Sequence, residues 1–302
     1  MFAALKSKSI LGLGLCMLCV ACSKTVTDQP AKKPDETGIK AKLYPVQFQV
    51  ANIASFTNEV GNKEMAVKDY LANLYYYAYD LNGKLVSKIE QDSGSHNNPD
   101  QKFGVLDDSL PAGKYTVVIA GSTFRPTPGG NEQLANLKFF WILDEFFFKK
   151  TVITVDSVSP QTLNTRLDRL TGQIEIKLTD TLPSDVYAVD AMWENQPRDY
   201  NAATQKGEFK WYNTERKMYN LNEPLVSLNL NVLGSDAKIQ VILYAVDKLG
   251  NTLYQRRIDN IVVRANQKII LTGSLMATGN IDTTATPFTF DPDYGEPIIK
   301  NF

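Results

Sequence analysis

Histidine and cysteine are almost missing from this chain of 302 residues: there is one His, His96, and the three Cys are Cys16, Cys19 and Cys22. Everything after residue 22 lacks a thiol, which excludes disulfides, a Cys nucleophile and Cys-ligated zinc from the body of the protein. Its stability must come from its core. His96 lies in Asp92-Ser-Gly-Ser-His-Asn-Asn-Pro-Asp100, the composition of an exposed loop tip, and a single imidazole supplies no histidine metal site or relay. An excess of basic charge is also lacking. A formal net charge of -1 and a pI near 6.0 leave no basic stripe to neutralise phosphates, so nucleic acid is not an expected partner. Gly129-Gly130 has no strand pattern before it and no Lys after it, so it is not a phosphate cradle.

What is present begins at the N-terminus. Lys6 and Lys8 precede an apolar run over 10–20 that ends in Cys19-Val20-Ala21-Cys22. A basic n-region, an apolar stretch shorter than the ~20 residues of a membrane span and small residues before a cysteine read as a lipoprotein signal peptide over 1–21. Cys22 is the expected lipid acceptor, a palmitate-type anchor site, because Ala21 before it is small whereas Cys16 follows bulky Leu15. Residues 22–42 have no aromatic and almost no apolar side chain, the composition of a tether.

The remaining stretch reads as strands. Tyr44-Pro-Val-Gln-Phe-Gln-Val50, Gly172-Gln-Ile-Glu-Ile-Lys-Leu178 and Leu225-Val-Ser-Leu-Asn-Leu-Asn-Val232 alternate at period two, and β-branched or aromatic runs over 74–79, 115–120, 146–153, 239–246 and 269–272 lie between turn residues. The helix candidates are 63–72, 131–143 and a turn near 186–192. An internal echo suggests duplication. Tyr77-Ala-Tyr-Asp-Leu-Asn-Gly83 and Tyr244-Ala-Val-Asp-Lys-Leu-Gly250 both read as hairpin turns, in which Asp bonds the turn backbone and Gly accepts positive φ. The segments 112–121 and 265–273 then follow in the same order. The expected architecture is mainly β: two tandem Ig-like β-sandwiches over 43–158 and 159–302, divided where Ser157-Val-Ser-Pro-Gln161 interrupts two strand patterns.

With that lipobox and tether, Tyr77-Ala-Tyr-Asp-Leu-Asn-Gly-Lys-Leu-Val86, Leu110-Pro-Ala-Gly-Lys-Tyr-Thr-Val117 and Leu167-Asp-Arg-Leu-Thr-Gly-Gln-Ile-Glu-Ile-Lys-Leu178 carry a family resemblance. The chain resembles the fimbrillin-like lipoproteins of Bacteroidetes-type fimbriae, above all the fimbrillin-A-associated anchor subunits. The resemblance implies two transthyretin-like sandwiches, a lipid-held subunit of the outer membrane at the cell surface, and pilin or other fimbrial partners joined by β-strand donation. Host or bacterial surface ligands are further partners of such a subunit. It also separates anchor from shaft: shaft pilins are cleaved after an arginine in the first sandwich, and here no arginine precedes Arg125, which is followed by Pro126.

The expected role is thus a non-enzymatic fimbrial anchor or fimbrillin-like subunit without a cofactor or metal. Its partner-binding element is placed in the C-terminal segment, where Phe288 and Phe290 alternate at strand spacing and Phe302 ends the run. The rival reading is a surface glycan-binding lipoprotein stacking sugars on Trp141, Trp193 and Trp211. The runs Tyr75-Tyr-Tyr77, Phe139-Phe-Trp141 and Phe146-Phe-Phe148 are expected to be sandwich core with alternate rings outside. The acid pairs Asp107-Asp108, Asp144-Glu145 and Asp291-Pro-Asp293 are expected to be solvated turn or strand residues, not a glycosidase pair or a calcium loop.

Overall fold

The computed structural model describes residues 41–53, 67–94, 102–218, 227–276, 281–282 and 298–301, and the statements below concern these alone. The first strands are β1 (Leu43–Ile53), β2 (Asn73–Tyr79) after a single helical turn α1 (Val67–Tyr70), β3 (Leu85–Asp92), β4 (Val105–Pro111) and β5 (Gly113–Ser122). Two short strands follow, β6 (Thr127–Gly129) and β7 (Lys138–Phe140), then β8 (Phe146–Val155) and β9 (Gln161–Arg169). Period-two alternation decides which faces meet: Val46, Phe48 and Val50 are buried while Gln47 and Gln49 between them are not. The hydrogen-bonded path β3-β2-β5-β8-β9-β1-β4 folds into two layers, with Phe48 of β1 against Tyr76 of β2 at 5.4 Å between ring centroids. Leu74, Val117, Ile119, Leu106 and Leu167 complete this first core.

The second set comprises β10 (Thr171–Leu178), β11 (Ala188–Asn201), β12 (Lys206–Met218), β13 (Ser227–Leu233), β14 (Lys238–Val246), β15 (Thr252–Val262) and β16 (Lys268–Gly273). Two short strands, β17 (Ile281–Asp282) and β18 (Ile298–Asn301), come last. Its pairing scheme repeats the first. As β1 pairs antiparallel with β4 and parallel with β9, β10 pairs antiparallel with β13 and parallel with β16. As β2 lies between β3 and β5, with β8 beyond β5, so β11 lies between β12 and β14, with β15 beyond β14. The second core is aliphatic, with Ile174, Ile176, Leu228, Leu230, Val241 and Leu243 around a buried Trp193.

This scheme revises the internal alignment drawn from sequence. The paired turns are chemically the same: Oδ1 of Asp80 accepts from the N–H groups of Asn82 and Lys84 at 2.8 and 2.9 Å, and Oδ1 of Asp247 accepts from Leu249 and Asn251, both at 2.8 Å. The side chain of Asn251 and these backbone donors hold the Asp247 carboxyl below the ordinary aspartate range. Gly83 and Gly250 have φ of 74° and 85°. Yet the first turn joins β2 to β3 and the second joins β14 to β15, which are not counterparts in the pairing scheme. Likewise 112–121 forms β5, beside β2, whereas 265–273 contains β16, beside β10 in the opposite layer. An Asp-x-x-Gly turn needs only four residues to agree and so carries no topology. Strand β9 begins at Gln161, beyond the expected boundary, and pairs with β1 of the first set. Gly83→Val and Gly250→Val should each lower stability by about 1–3 kcal/mol, because a β-branched residue enters positive φ only with strain. Thermal melts unchanged from the parent would refute the turn assignment.

A third core joins the two strand sets. Strands β6 and β7 arise between β5 and β8 but pair with each other, and β7 pairs with the far end of β11, Phe139 opposite Tyr200. They cover the outer face of β2, β5 and β8, so Tyr75, Tyr77, Phe139, Phe146, Phe148 and Tyr200 form one buried aromatic cluster. The expectation that alternate rings lie outside is therefore corrected for Tyr75–Tyr77 and Phe146–Phe148, which are all nearly inaccessible, Tyr76 facing the first core and Tyr75 and Tyr77 the third, whereas in the third run Phe139 is buried and Trp141 exposed. The helix expected over 131–143 is replaced by a 3-10 turn, Leu134–Asn136, and β7. Burying Leu137 and Phe139 in the aromatic cluster outweighs local helical preference. Of the candidate over 63–72, the described part holds the helical turn Val67–Tyr70, and within 186–192 strand β11 begins at Ala188.

Candidate functional site

The residues singled out as partner-binding, Phe288, Phe290 and Phe302, and the lipid acceptor Cys22 lie outside the described residues, as do His96, Asp291 and Asp293. What is described near the C-terminus is the backbone of β18. It pairs parallel with β16, from Ile269 opposite Ile298 to Thr272 opposite Asn301, at the end of the sheet order β13-β10-β16-β18. Among the described residues it thus has a partner strand on one side only.

A second open edge lies in the first strand set. β8 and β9 pair only at Phe147 with Arg169 and Phe148 with Asp168. Beyond these pairs the strands splay, β8 staying with β5 and β9 with β1. The gap is a cleft of about 500 Å³ lined by Phe48, Thr151–Thr154 and Gln161–Thr165. Its walls are two strand edges whose backbone groups on that side meet no strand, and Val152 stands exposed beside it. Such a cleft offers main-chain donors and acceptors and little side-chain chemistry.

The two acid pairs among the described residues are engaged by neighbouring side chains. Asp108 accepts from the Tyr76 hydroxyl at 2.9 Å and from Ser87 at 2.9 Å, and Asp107 accepts from Gln47 at 2.7 Å. Asp144 accepts from Asn231 at 2.6 Å. Glu145 pairs with the fully buried Arg169, with Oε1 2.9 Å from Nη1, and accepts from the Tyr70 hydroxyl, while the Arg169 guanidinium lies 5.1 Å from the centroid of the Phe147 ring. Burial raises the Glu145 carboxyl above the ordinary glutamate value, with Arg169 opposing it. This network caps one end of the first core, and sequence reading gave no sign of it because its members lie far apart in the chain. Among the described residues no group of three or more His, Cys, Asp or Glu could hold a metal, and no helix is long and apolar enough to cross a membrane.

The three tryptophans part company. Trp193 is core, whereas Trp141 and Trp211 meet at the surface with ring centroids 5.9 Å apart. Trp141 follows β7 and Trp211 lies in β12, on the arm of the β11–β12 hairpin that reaches toward β7.

The chain is similar in fold to solved structures of low sequence identity. One, from Bacteroides thetaiotaomicron and provisionally described as polysaccharide-binding, has a TM-score of 0.52 and 15% identity over 77% of this chain and 92% of its own. Another, a provisional adhesin of Bacteroides ovatus, has a TM-score of 0.51 and 11% identity over 91% of this chain and 98% of its own. The fimbrial anchor protein Mfa2 of Porphyromonas gingivalis gives 0.46 and 16% identity over 76% and 90%. No curated protein matches in sequence. The model of one family spans residues 44–293, nearly all of the two strand sets just described, and the chain belongs to that family, the fimbrillin-A associated anchor proteins Mfa1 and Mfa2.

Proposed function

We propose that this protein is the membrane-retained anchor subunit of a fimbrium, a non-enzymatic lipoprotein of the outer membrane that joins pilin partners by β-strand addition. Family membership supports a fimbrial role at the cell envelope with fimbrial subunits as partners. The observation that carries the finer reading is β18, a terminal strand held on one side and at a sheet edge. Such a strand exchanges between chains with little rearrangement, since its main-chain bonds to β16 can be made equally with another sheet edge. Phe288, Phe290 and Phe302 flank it and would supply the alternate side chains that select a partner groove. The cleft between β8 and β9 is the complementary feature, with two edges able to take a strand. In this reading the first domain runs to about residue 170, because β9 completes the first pairing scheme, and Cys22 carries the lipid.

Deleting 291–302 should leave the first strand set folded and reduce pilin capture in pull-downs and fimbrial retention on cells by at least about tenfold, since a lost strand removes several main-chain bonds together. Undiminished retention would refute strand exchange at this end. Cys22→Ala should move the protein from the membrane to the soluble fraction and abolish lipid labelling. Persistence of both would refute the lipoprotein assignment.

A further inference from the structure

Around Trp141 and Trp211 lies a surface that neither core burial nor strand pairing explains. Trp141, Phe209, Trp211 and Tyr212 are 45%, 62%, 41% and 53% exposed. Trp141 and Phe209 have φ of 60° and 54°, a left-handed backbone that bulky residues seldom adopt and that clusters at functional positions. The opposing strand is bulged: the register slips between Glu194 and Gln196, and Asn195 between them has φ of 65°. Beside the slip, Trp211 and Tyr212, neighbours that a regular strand would send to opposite faces, stack at 5.2 Å with 12° between ring planes. Trp141 stands at 80° to Trp211. The result is a stacked Trp211–Tyr212 pair with the Trp141 indole standing edge-on to it.

The surface is held rigidly from beneath. The Arg198 guanidinium lies 4.1 Å from the centroid of Trp141 and 5.1 Å from that of Trp211. Arg198 donates through Nε and Nη2 to the two carboxylate oxygens of buried Asp199 at 2.8 and 2.9 Å, and Asp199 also accepts from the backbone N–H of Trp141 at 3.2 Å. Lys138, whose ammonium lies 5.8 Å from the centroid of the Phe209 ring, is paired with Glu208 at 2.6 Å. Both cations that touch these rings are thus neutralised by carboxylates within the site. What the rings then offer is aromatic surface whose contacting cations are already paired.

We propose that this corner is a carbohydrate-binding site for a neutral pyranose chain, independent of the strand-addition reading. The C–H groups of a pyranose face carry partial positive charge and match the negative faces of indole and phenol rings, while the sugar hydroxyls remain in water. An anionic polymer would find the two cations that touch the rings, Arg198 and Lys138, already paired, so the rings themselves hold out no unpaired charge to it. Rigid rings with few rotatable bonds bind a flat, weakly hydrated face at small entropic cost.

The test is affinity electrophoresis of the full chain through gels containing galactomannan, xyloglucan, starch or, as anionic comparison, polygalacturonate. At least one neutral polymer should retard the protein, and Trp211→Ala should weaken that retardation at least tenfold. Tyr212→Ala should weaken it several-fold, and Phe124→Ala, at another exposed aromatic residue, should not. Unchanged thermal melts will show that each variant is folded, and should Trp211→Ala fail to fold, Tyr212→Ala decides alone. Retardation should survive deletion of 291–302. Absence of retardation by every neutral polymer, binding confined to polygalacturonate, or retardation indifferent to both Trp211→Ala and Tyr212→Ala would each overturn the proposal. Capture of a proline-rich peptide by the same rings without any sugar binding would overturn it as well.

Discussion

Glu145→Ala is expected to destabilise the protein by about 3–5 kcal/mol, because it leaves the fully buried Arg169 without its counter-ion. Arg169 ends β9, Glu145 stands just before β8 and Tyr70 closes α1, so one guanidinium ties three segments over the Phe147 ring. Burial outweighs the attraction of Arg169 in setting the Glu145 carboxyl, which lies above the ordinary glutamate value. Replacing such a buried pair by apolar groups of similar volume is often neutral or stabilising. Arg169→Met combined with Glu145→Leu should recover most of the loss, since apolar replacements remove both desolvation costs. The pH dependence has a definite sign: a folded value raised above the unfolded one means that this group's contribution is fully present below the unfolded value and is lost as pH rises through the folded value. Glu145→Gln should remove that part of the pH profile. Denaturant titrations of the single and double variants decide the issue, and a loss below about 1 kcal/mol for Glu145→Ala would show that the network is not closed in solution.

Phe139→Ala should cost about 3–5 kcal/mol, the range for deleting a fully buried aromatic side chain. The ring is inaccessible and touches Tyr75, Tyr77 and Phe146 at centroid distances of 5.8, 6.4 and 5.2 Å. Its strand, β7, belongs to the first half of the chain but pairs with β11 of the second. Emptying that position thus loosens both strand sets together. Scanning calorimetry should show a melting point lowered by roughly 6 °C or more, at the ~2–4 °C per kcal/mol usual for proteins of comparable size. Val152→Ala, 66% exposed on β8, should change it little. A melting point for Phe139→Ala within one degree of the parent would mean that the third core does not carry the packing described.

Much of this fold was legible from local pattern. The alternation of Val46, Phe48 and Val50 located a strand and its inner face, and Asp-x-x-Gly located two turns down to the positive φ of Gly83 and Gly250. These succeed because pleat and turn geometry are properties of a few consecutive residues. The polar arm Lys206–Met218 escaped notice as β12, since a strand paired mainly with one neighbour and facing water shows no apolar period. Trp141 and Trp211 were visible in sequence as stacking residues, beside Trp193, but not as two rings of one corner. Composition and the terminal cysteine pattern by themselves excluded thiol and histidine chemistry, pointed to a lipoprotein and called for a β-rich body. Only the tertiary structure decided that the outward rings Tyr75 and Tyr77 are covered, that β9 closes the first strand set beyond residue 158, and that Trp193 goes inside while Trp141 and Trp211 meet in solvent. Those outcomes depend on which distant edges and faces find each other, and that choice is made by the total area buried across the chain, a sum to which no local window has access.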